Sequence, residues 1–276
     1  MPAAYGRCAV LGSPIAHSLS PVMHRAAYGE LGIGWTYEAL DVTEDALAGF
    51  LDGVDDSWRG LSVTAPLKRR LVSLMDEISE DVEALGVANT VLLDERRGRV
   101  GFNTDVPGGL NALREAGVEA VASARILGGG ATAASMALTL SRLGVRRLEV
   151  AVRDVARASD VLAVAEAQEV AASAVTLDGS DRGLVDVLVS TIPAGAVDPS
   201  WAASAGAVFD VIYDPWPTPL ASAALEHNIP VVNGLDLLAH QAALQVHLMT
   251  GGTVAASLLR AAALRELAGR PDGRNR

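Results

Sequence analysis

Cysteine, aromatic side chains and positive charge are what this 276-residue chain has least of. Cys8 is the single cysteine, so no intramolecular disulfide can form. Lying in the apolar run 7–11 with no base beside it, Cys8 reads as a buried structural thiol in a reducing compartment and not as a nucleophile. Aromatics make up 4% of the residues, which excludes a core built on stacked rings. Ala, Val and Leu are left to fill the interior, and that suits helices packed closely on parallel strands. Lys and Arg number 22 against 33 Asp and Glu, a formal net charge of -11. Such a chain repels nucleic acid and anionic membrane surfaces, so an anionic small molecule has to be held by local groups. No stretch reaches the roughly 20 uninterrupted apolar residues of a membrane span, and strand-like sequence begins by Cys8, so the expected location is the cytoplasm. His17 with His24, and His240 with His247, are seven residues apart. That is not the single-turn spacing of a helical zinc motif, and no metal site is expected.

What the chain does contain is hydrophobic sequence, 50% of its residues, broken into short runs. Its length points to two units of roughly 100–150 residues each. Runs 7–11, 35–40 and 60–63 have strand character, whereas 21–31, 45–51 and 67–75 have helical spacing, with Gly32 closing the first helix. Runs 90–93 and 99–102 flank the polar turn 94–98 as a hairpin. A helix at 107–116 leads into a second series of strands at 124–127, 148–152, 185–190, 207–212 and 231–232. Helical segments between them imply right-handed crossovers and a doubly wound parallel sheet. Two C-terminal helices, one carrying Leu237, Leu238, Ala242, Leu244 and Leu248 and one at 253–267, lack strand partners and are expected to pack back on the first unit. The expected fold is α/β: a first domain of residues 1–105 completed by 235–276, and a Rossmann-like nucleotide-binding domain of 106–234. The tail 268–276 is expected to fray.

Three local patterns carry chemistry. The strand at 124–127 runs into Gly128, Gly129, Gly130, Ala131, Thr132 and Ala133 and then a helix, a G-x-G-x-x-A dinucleotide fingerprint. Glycines there let the backbone approach a pyrophosphate, and the helix N-terminus supplies N–H groups. Past the next strand, Arg153 and Arg157 are spaced for one 2′-phosphate and favour NADP, while Asp154 is the kind of residue an NAD enzyme uses on the ribose. In the second pattern, Ser18 and Ser20 lie on a loop feeding a helix, with Ser20 placed as N-cap before Pro21; the two hydroxyls either cap or receive a carboxylate. In the third, the Thr64-Ala65-Pro66 turn puts Lys68 in the first turn of a helix. A cation there opposes the macrodipole by about 0.3–1 kcal/mol, which is poor structure and useful acid–base chemistry.

Taken in order, the motifs Gly12-Ser13-Pro14-Ile15-Ala16-His17-Ser18-Leu19-Ser20-Pro21, Ser62-Val63-Thr64-Ala65-Pro66-Leu67-Lys68, Ala88-Asn89-Thr90, Asn103-Thr104-Asp105, the Gly128 loop and the stretch from Gly234 to Gln241 resemble the series of the shikimate dehydrogenase family, over nearly the whole chain. The resemblance implies an NADP-dependent oxidoreductase that interconverts 3-dehydroshikimate and shikimate on the way to chorismate and the aromatic amino acids. It further implies that Ser18 and Ser20 hold the substrate carboxylate, that Thr64, Asn89 and Gln241 bind ring hydroxyls, that Lys68 and Asp105 form the catalytic pair, and that Tyr213 and Gly234 lie near the nicotinamide. Two positions depart from it: Ser62 stands where many members carry Asn, and Val152-Arg153-Asp154 where many carry Asn-Arg-Thr. The chemistry explains the pair, since reducing a ketone needs a proton delivered to the oxygen that receives the hydride's electrons. A quinate or aminoshikimate dehydrogenase is the alternative within enzymes, and a non-catalytic NADP-binding sensor the alternative outside them. The sensor has no need of Lys68 and Asp105 together. Monomer and homodimer both remain open.

Overall fold

Alternating strands and helices build two six-stranded sheets in the computed structural model, which describes residues 5–178 and 182–270. By contact the chain divides into one unit of Met1–Thr104 with Leu238–Arg276 and a second of Asp105–Leu237.

The first unit contains β1 (Arg7–Gly12), α1 (Ser20–Leu31), β2 (Thr36–Asp41), α2 (Glu44–Asp52), β3 (Trp58–Val63), β4 (Glu77–Ile78), α3 (Glu80–Leu85), β5 (Thr90–Asp94) and β6 (Gly98–Phe102). Its sheet has the order β2-β1-β3-β5-β6-β4. β1 lies parallel to β2 and β3, while β5 runs antiparallel to both β3 and β6. The C-terminal ends of β1, β3 and β6 and the start of β5 therefore share one edge, where Val10, Ser62, Thr90 and Phe102 stand in register. The core beneath is aliphatic, with Leu11, Leu47, Leu51, Leu61, Leu71 and Val91 buried together. Full burial of such a side chain stabilises the fold by about 1.5–3 kcal/mol. Cys8 is buried and unbridged in β1, and burial pushes its thiol pKa up to about 11.

The second unit contains α4 (Asp105–Glu115), β7 (Ser123–Leu127), α5 (Ala131–Arg142), β8 (Arg147–Val152), α6 (Ser159–Ala167), β9 (Ala171–Thr176), β10 (Val185–Ser190), β11 (Ala205–Asp210), α7 (Pro219–Glu226) and β12 (Val231–Asn233). Every pair in its sheet is parallel, in the order β12-β11-β10-β7-β8-β9. Strand order reverses between β7 and β10, the switch point beyond whose carboxyl ends such sheets bind ligands. α8 (Gly234–Thr250) begins in this unit and belongs to the first from Leu238 onward, and α9 (Ala256–Gly269) packs on α1. Among the described residues no helix is long and apolar enough to cross a membrane.

Two local expectations fail. Residues 67–75 do not form an α-helix: a turn leads into a 3-10 helix at Arg70–Leu74. The Lys68 carbonyl accepts from Ala88 N at 3.0 Å, and Val72 N turns instead to Arg69 O. Lys68 thus lies in no α-helical first turn, and the macrodipole argument for it lapses. Ser20 is the first residue of α1 and not its cap; Leu19 is the cap residue, and Ser20 N donates to Ser18 Oγ at 3.3 Å. Of the tail expected to fray, residues 268 and 269 close α9, and 271–276 lie outside the described residues.

Candidate functional site

In the first unit the strand ends at the shared edge carry a cluster of hydrogen-bonded polar side chains. Asn89 precedes β5 and is almost fully buried. Its backbone is fixed on both sides: its carbonyl accepts from Val63 N at 2.7 Å and its N–H donates to Phe102 O at 3.0 Å. Its side chain takes the Thr104 N–H at 2.8 Å and donates to Gln241 Oε1 on α8 at 3.0 Å. Thr64 follows β3, its N–H donating to Leu11 O at 2.9 Å, while the backbone of half-buried Lys68 is tied to Ala88, the neighbour of Asn89. The structure thus joins the side chains of Asn89 and Gln241 and ties the backbone at Thr64 and Lys68 in beside Asn89. Ser18 and Ser20 are joined to each other at the start of α1, and Ser20 is buried. Asp105, also buried, follows Thr104 and opens α4 in the second unit.

Four further side chains are hydrogen-bonded into this cluster and escaped the sequence reading as site residues: Thr90 and Thr104 on Asn89 Oδ1, Gln245 on Thr90 Oγ1, and Tyr37 through Ser62 on Gln245. Thr90 and Thr104 stand inside motifs already noted, and Gln245 lies one helical turn beyond Gln241. Tyr37 carried no signal beyond an alternating strand.

His24, one turn after Ser20, is fully buried and stacked on Tyr37 with ring centroids 3.9 Å apart. Its Nδ1 meets the Ser20 carbonyl at 2.9 Å, so Nδ1 carries the hydrogen. Burial lowers its pKa from 6.5 to about 4. Between those values the unfolded chain binds a proton that the native one does not. The neutral imidazole's contribution is therefore complete above pH 6.5 and is lost as pH falls toward 4. His24→Leu should flatten the acid-side decline of thermal stability in this window, by up to about 1.4 kcal/mol per pH unit. Melting curves across the window test this; an unchanged slope would assign the decline to other groups.

In the second unit the loop after β7 lies at the switch point. Gly128 has φ +117, a conformation that favours glycine, and a Cβ there would run into Thr191 Oγ1 at the end of β10. A Cβ on Gly129 would run into the carbonyl oxygen of Arg157. Gly130 is the N-cap residue of α5, whose first turn holds Ala131, Thr132 and Ala133 and no acidic side chain. Gly128, Gly129, Gly130, Arg153 and Arg157 line one cavity of about 300 Å³, together with Val152, Leu177, Thr191, Ile192, Pro193 and Ala196. Asp154 is not in that lining: its carboxylate accepts from Ala156 N at 3.0 Å and caps the 3-10 turn Val155–Ala158 that carries Arg157. Exposed N–H groups at a helix start and two guanidiniums suit a phosphorylated dinucleotide.

Tyr213 and Gly234 do not line this cavity. Tyr213 is half-buried in the loop after β11, and Gly234 opens α8 with its N–H on Ile212 O at 3.2 Å. Asn233 Oδ1 takes the N–H groups of Leu235 and Asp236, and Asp236 returns a bond from Asn233 N, a reciprocal cap. Asp210 stabilises its loop, accepting from Thr218 Oγ1 at 2.6 Å, with its pKa raised by burial. A larger cavity of about 790 Å³ lies against β7, β8 and β9 and is lined by Arg125, Arg147, Glu149, Ser173 and Trp201, but by none of the predicted site residues. Among the described residues no group of His, Cys, Asp or Glu is arranged to hold a metal ion.

A doubly wound parallel sheet with a glycine loop at its switch point, carried in one chain with a second α/β unit, defines the class of two-unit dinucleotide-binding folds. A family model described as the shikimate dehydrogenase substrate binding domain matches residues 10–91. The chain is 38% identical over 252 residues, 89% of this chain and 92% of the relative, to a protein of Thermus thermophilus named shikimate dehydrogenase (NADP(+)). The crystal structure of a shikimate 5-dehydrogenase from Thermus thermophilus in complex with NADP(H) and shikimate has a TM-score of 0.81 at 35% identity, covering 94% of this chain and 99% of that one. A quinate dehydrogenase from Corynebacterium glutamicum in complex with NAD has a TM-score of 0.86 at 28% identity, covering 95% and 99%. The chain belongs to the shikimate dehydrogenase family.

Proposed function

We propose that this chain is an NADP-dependent shikimate dehydrogenase, reversibly reducing 3-dehydroshikimate to shikimate on the route to chorismate and the aromatic amino acids. The observation that carries the reading is the Asn89–Gln241 hydrogen bond at one edge of the first sheet, with the backbone of Thr64 and Lys68 tied in beside Asn89. This set combines neutral hydrogen-bonding groups suited to a polyhydroxylated ring with a single amine. Ser18 and Ser20 receive the carboxylate, and Thr64, Asn89 and Gln241 bind ring hydroxyls. NADP, when bound, supplies or accepts the hydride. Lys68 donates a proton to the ketone oxygen in the direction of reduction and stabilises the developing alkoxide, while Asp105 orients that amine and the reacting hydroxyl. The loop of Gly128, Gly129, Gly130, Ala131, Thr132 and Ala133 holds the pyrophosphate, Arg153 and Arg157 hold the 2′-phosphate, and Tyr213 and Gly234 flank the nicotinamide. The single cysteine, which forms no intramolecular disulfide, supports a reducing, cytoplasmic location. Purified protein given shikimate and NADP should generate reduced nicotinamide, read by its near-ultraviolet absorbance; no turnover would reject the reading.

NADP is preferred to NAD because two guanidiniums line the cavity while Asp154 is engaged by the backbone. Arg153→Ala should narrow the ratio of NADP to NAD efficiency by about tenfold, the loss of one charge-assisted contact of roughly 1.5–3 kcal/mol offset in part by Arg157. Asp154→Asn, which keeps the capping oxygen, should leave the preference in place. If Asp154→Asn changed it more than Arg153→Ala did, the acidic residue would be the one reading the ribose.

A further inference from the structure

Six side chains of the first unit form a hydrogen-bond chain whose direction follows from one backbone group. Thr104 N–H donates to Asn89 Oδ1 at 2.8 Å. A backbone N–H cannot accept, so the Asn89 oxygen is fixed there and its amide nitrogen faces Gln241 Oε1 at 3.0 Å. Thr90 Oγ1 lies 2.8 Å from the same Asn89 oxygen and uses its single hydrogen on it. Toward Gln245, Thr90 is left as an acceptor, and Gln245 Nε2 donates to it at 3.0 Å. The Gln245 oxygen is thereby turned to Ser62, whose hydroxyl donates at 2.9 Å. Ser62 then has no hydrogen to give, and the Tyr37 phenol donates to it at 2.6 Å. Tyr37, Ser62, Asn89, Thr90 and Gln245 are all buried, so no solvent competes for these bonds.

We propose that Gln245 is a positioning residue that carries the polarity started by Thr104 N–H through to the rest of the chain: by donating to Thr90 it keeps the Thr90 hydrogen on the Asn89 oxygen, and through Ser62 it leaves position 62 able only to accept. The inference rests on the reading that Asn89 binds a ring hydroxyl. It also gives a consequence for Ser62, the position noted above as a departure from the family resemblance. An Asn could offer N–H groups, whereas Ser62, its hydrogen held by Gln245, accepts from a ring substituent that carries its own hydrogen.

Gln245→Glu tests polarity at nearly constant shape. A protonated carboxyl reproduces the pattern of the amide, with O–H toward Thr90 and C=O toward Ser62. An ionised carboxylate only accepts, so Thr90 must turn its hydrogen away from Asn89. Burial raises a carboxyl's pKa, which brings the change into an accessible range. We expect the KM for shikimate of this variant, divided by that of the wild type, to rise at least tenfold between about pH 5 and pH 9, with kcat and the KM for NADP changing less. Gln245→Met, which fills the same space without polar atoms, should raise the shikimate KM at all pH values while thermal unfolding shows that it folds. A ratio flat with pH, or a Met variant that binds shikimate as the wild type does, overturns the proposal, because Gln245 then only fills space. Wild-type turnover in the same buffers separates the two ideas. An inactive wild type overturns the functional reading and this inference with it; an active wild type with a flat ratio overturns the inference alone.

Discussion

Lys68→Ala should lower turnover by about 10²–10⁴-fold while changing the KM for shikimate little, since a positioned proton donor acts in the transition state. The substitution is clean because the backbone at Lys68 is held by its own carbonyl, which accepts from Ala88 N at 3.0 Å, so truncation leaves the approach to Asn89 standing. Lys68→Arg separates charge from proton transfer. The guanidinium keeps a positive charge but does not release its proton, so turnover should remain close to the Ala level. Steady-state kinetics on both variants are the measurement. Near-normal turnover in Lys68→Ala would remove the amine from the mechanism; recovery in Lys68→Arg would show that charge alone suffices.

Gly129→Ala should abolish useful NADP binding, with a KM for NADP raised well over tenfold. The added Cβ meets the Arg157 carbonyl, a backbone atom with no flexible end to swing aside. Either the glycine loop or the turn Val155–Ala158 must then shift, and the loop and Arg157 of the turn line the cavity proposed for the cofactor. Strain of this kind also destabilises a packed protein by about 1–3 kcal/mol. Titration of the cofactor with the two proteins in parallel checks it. Equal affinity would show that the loop moves without consequence, and the cavity would lose its role.

The contrast between these two sites explains what the sequence made legible. Phosphate binding uses backbone, and backbone needs leave unambiguous marks: glycines after a strand and before a helix, then arginines after the next strand. Strands with β-branched or Leu-rich runs, such as Val185–Ser190, were equally plain. β9 was missed because Ala-Ala-Ser-Ala-Val-Thr at the sheet's edge buries little and so shows no hydrophobic alternation. The expected helix around Lys68 failed for another reason. Leu67 and Leu71 have helical spacing and are buried, yet a tight turn followed by a 3-10 helix buries them as well, and a long-range bond from Ala88 decides between the two. The chain from Tyr37 to Gln241 was illegible for the same reason: its links join β2, β3, β5 and α8, and only tertiary structure brings residues 37, 62 and 245 together. Asp154 shows how a residue type can mislead. An acid after the second nucleotide strand suggests a ribose ligand, whereas here its carboxylate caps a turn.

Shikimate and quinate differ by one hydroxyl on the carbon that bears the carboxylate, the group proposed to dock at Ser18 and Ser20. Ser20 is buried, so an added hydroxyl there is desolvated with few partners, at a cost of roughly 1–3 kcal/mol. The measurement that bears most directly on this account is kcat/KM for each acid against NADP and against NAD, under identical conditions. The expected result is that shikimate with NADP is best, with shikimate favoured over quinate by about 5–150-fold. A ratio near one, or a preference for quinate with NAD, would contradict it and make the chain a quinate dehydrogenase of the same fold.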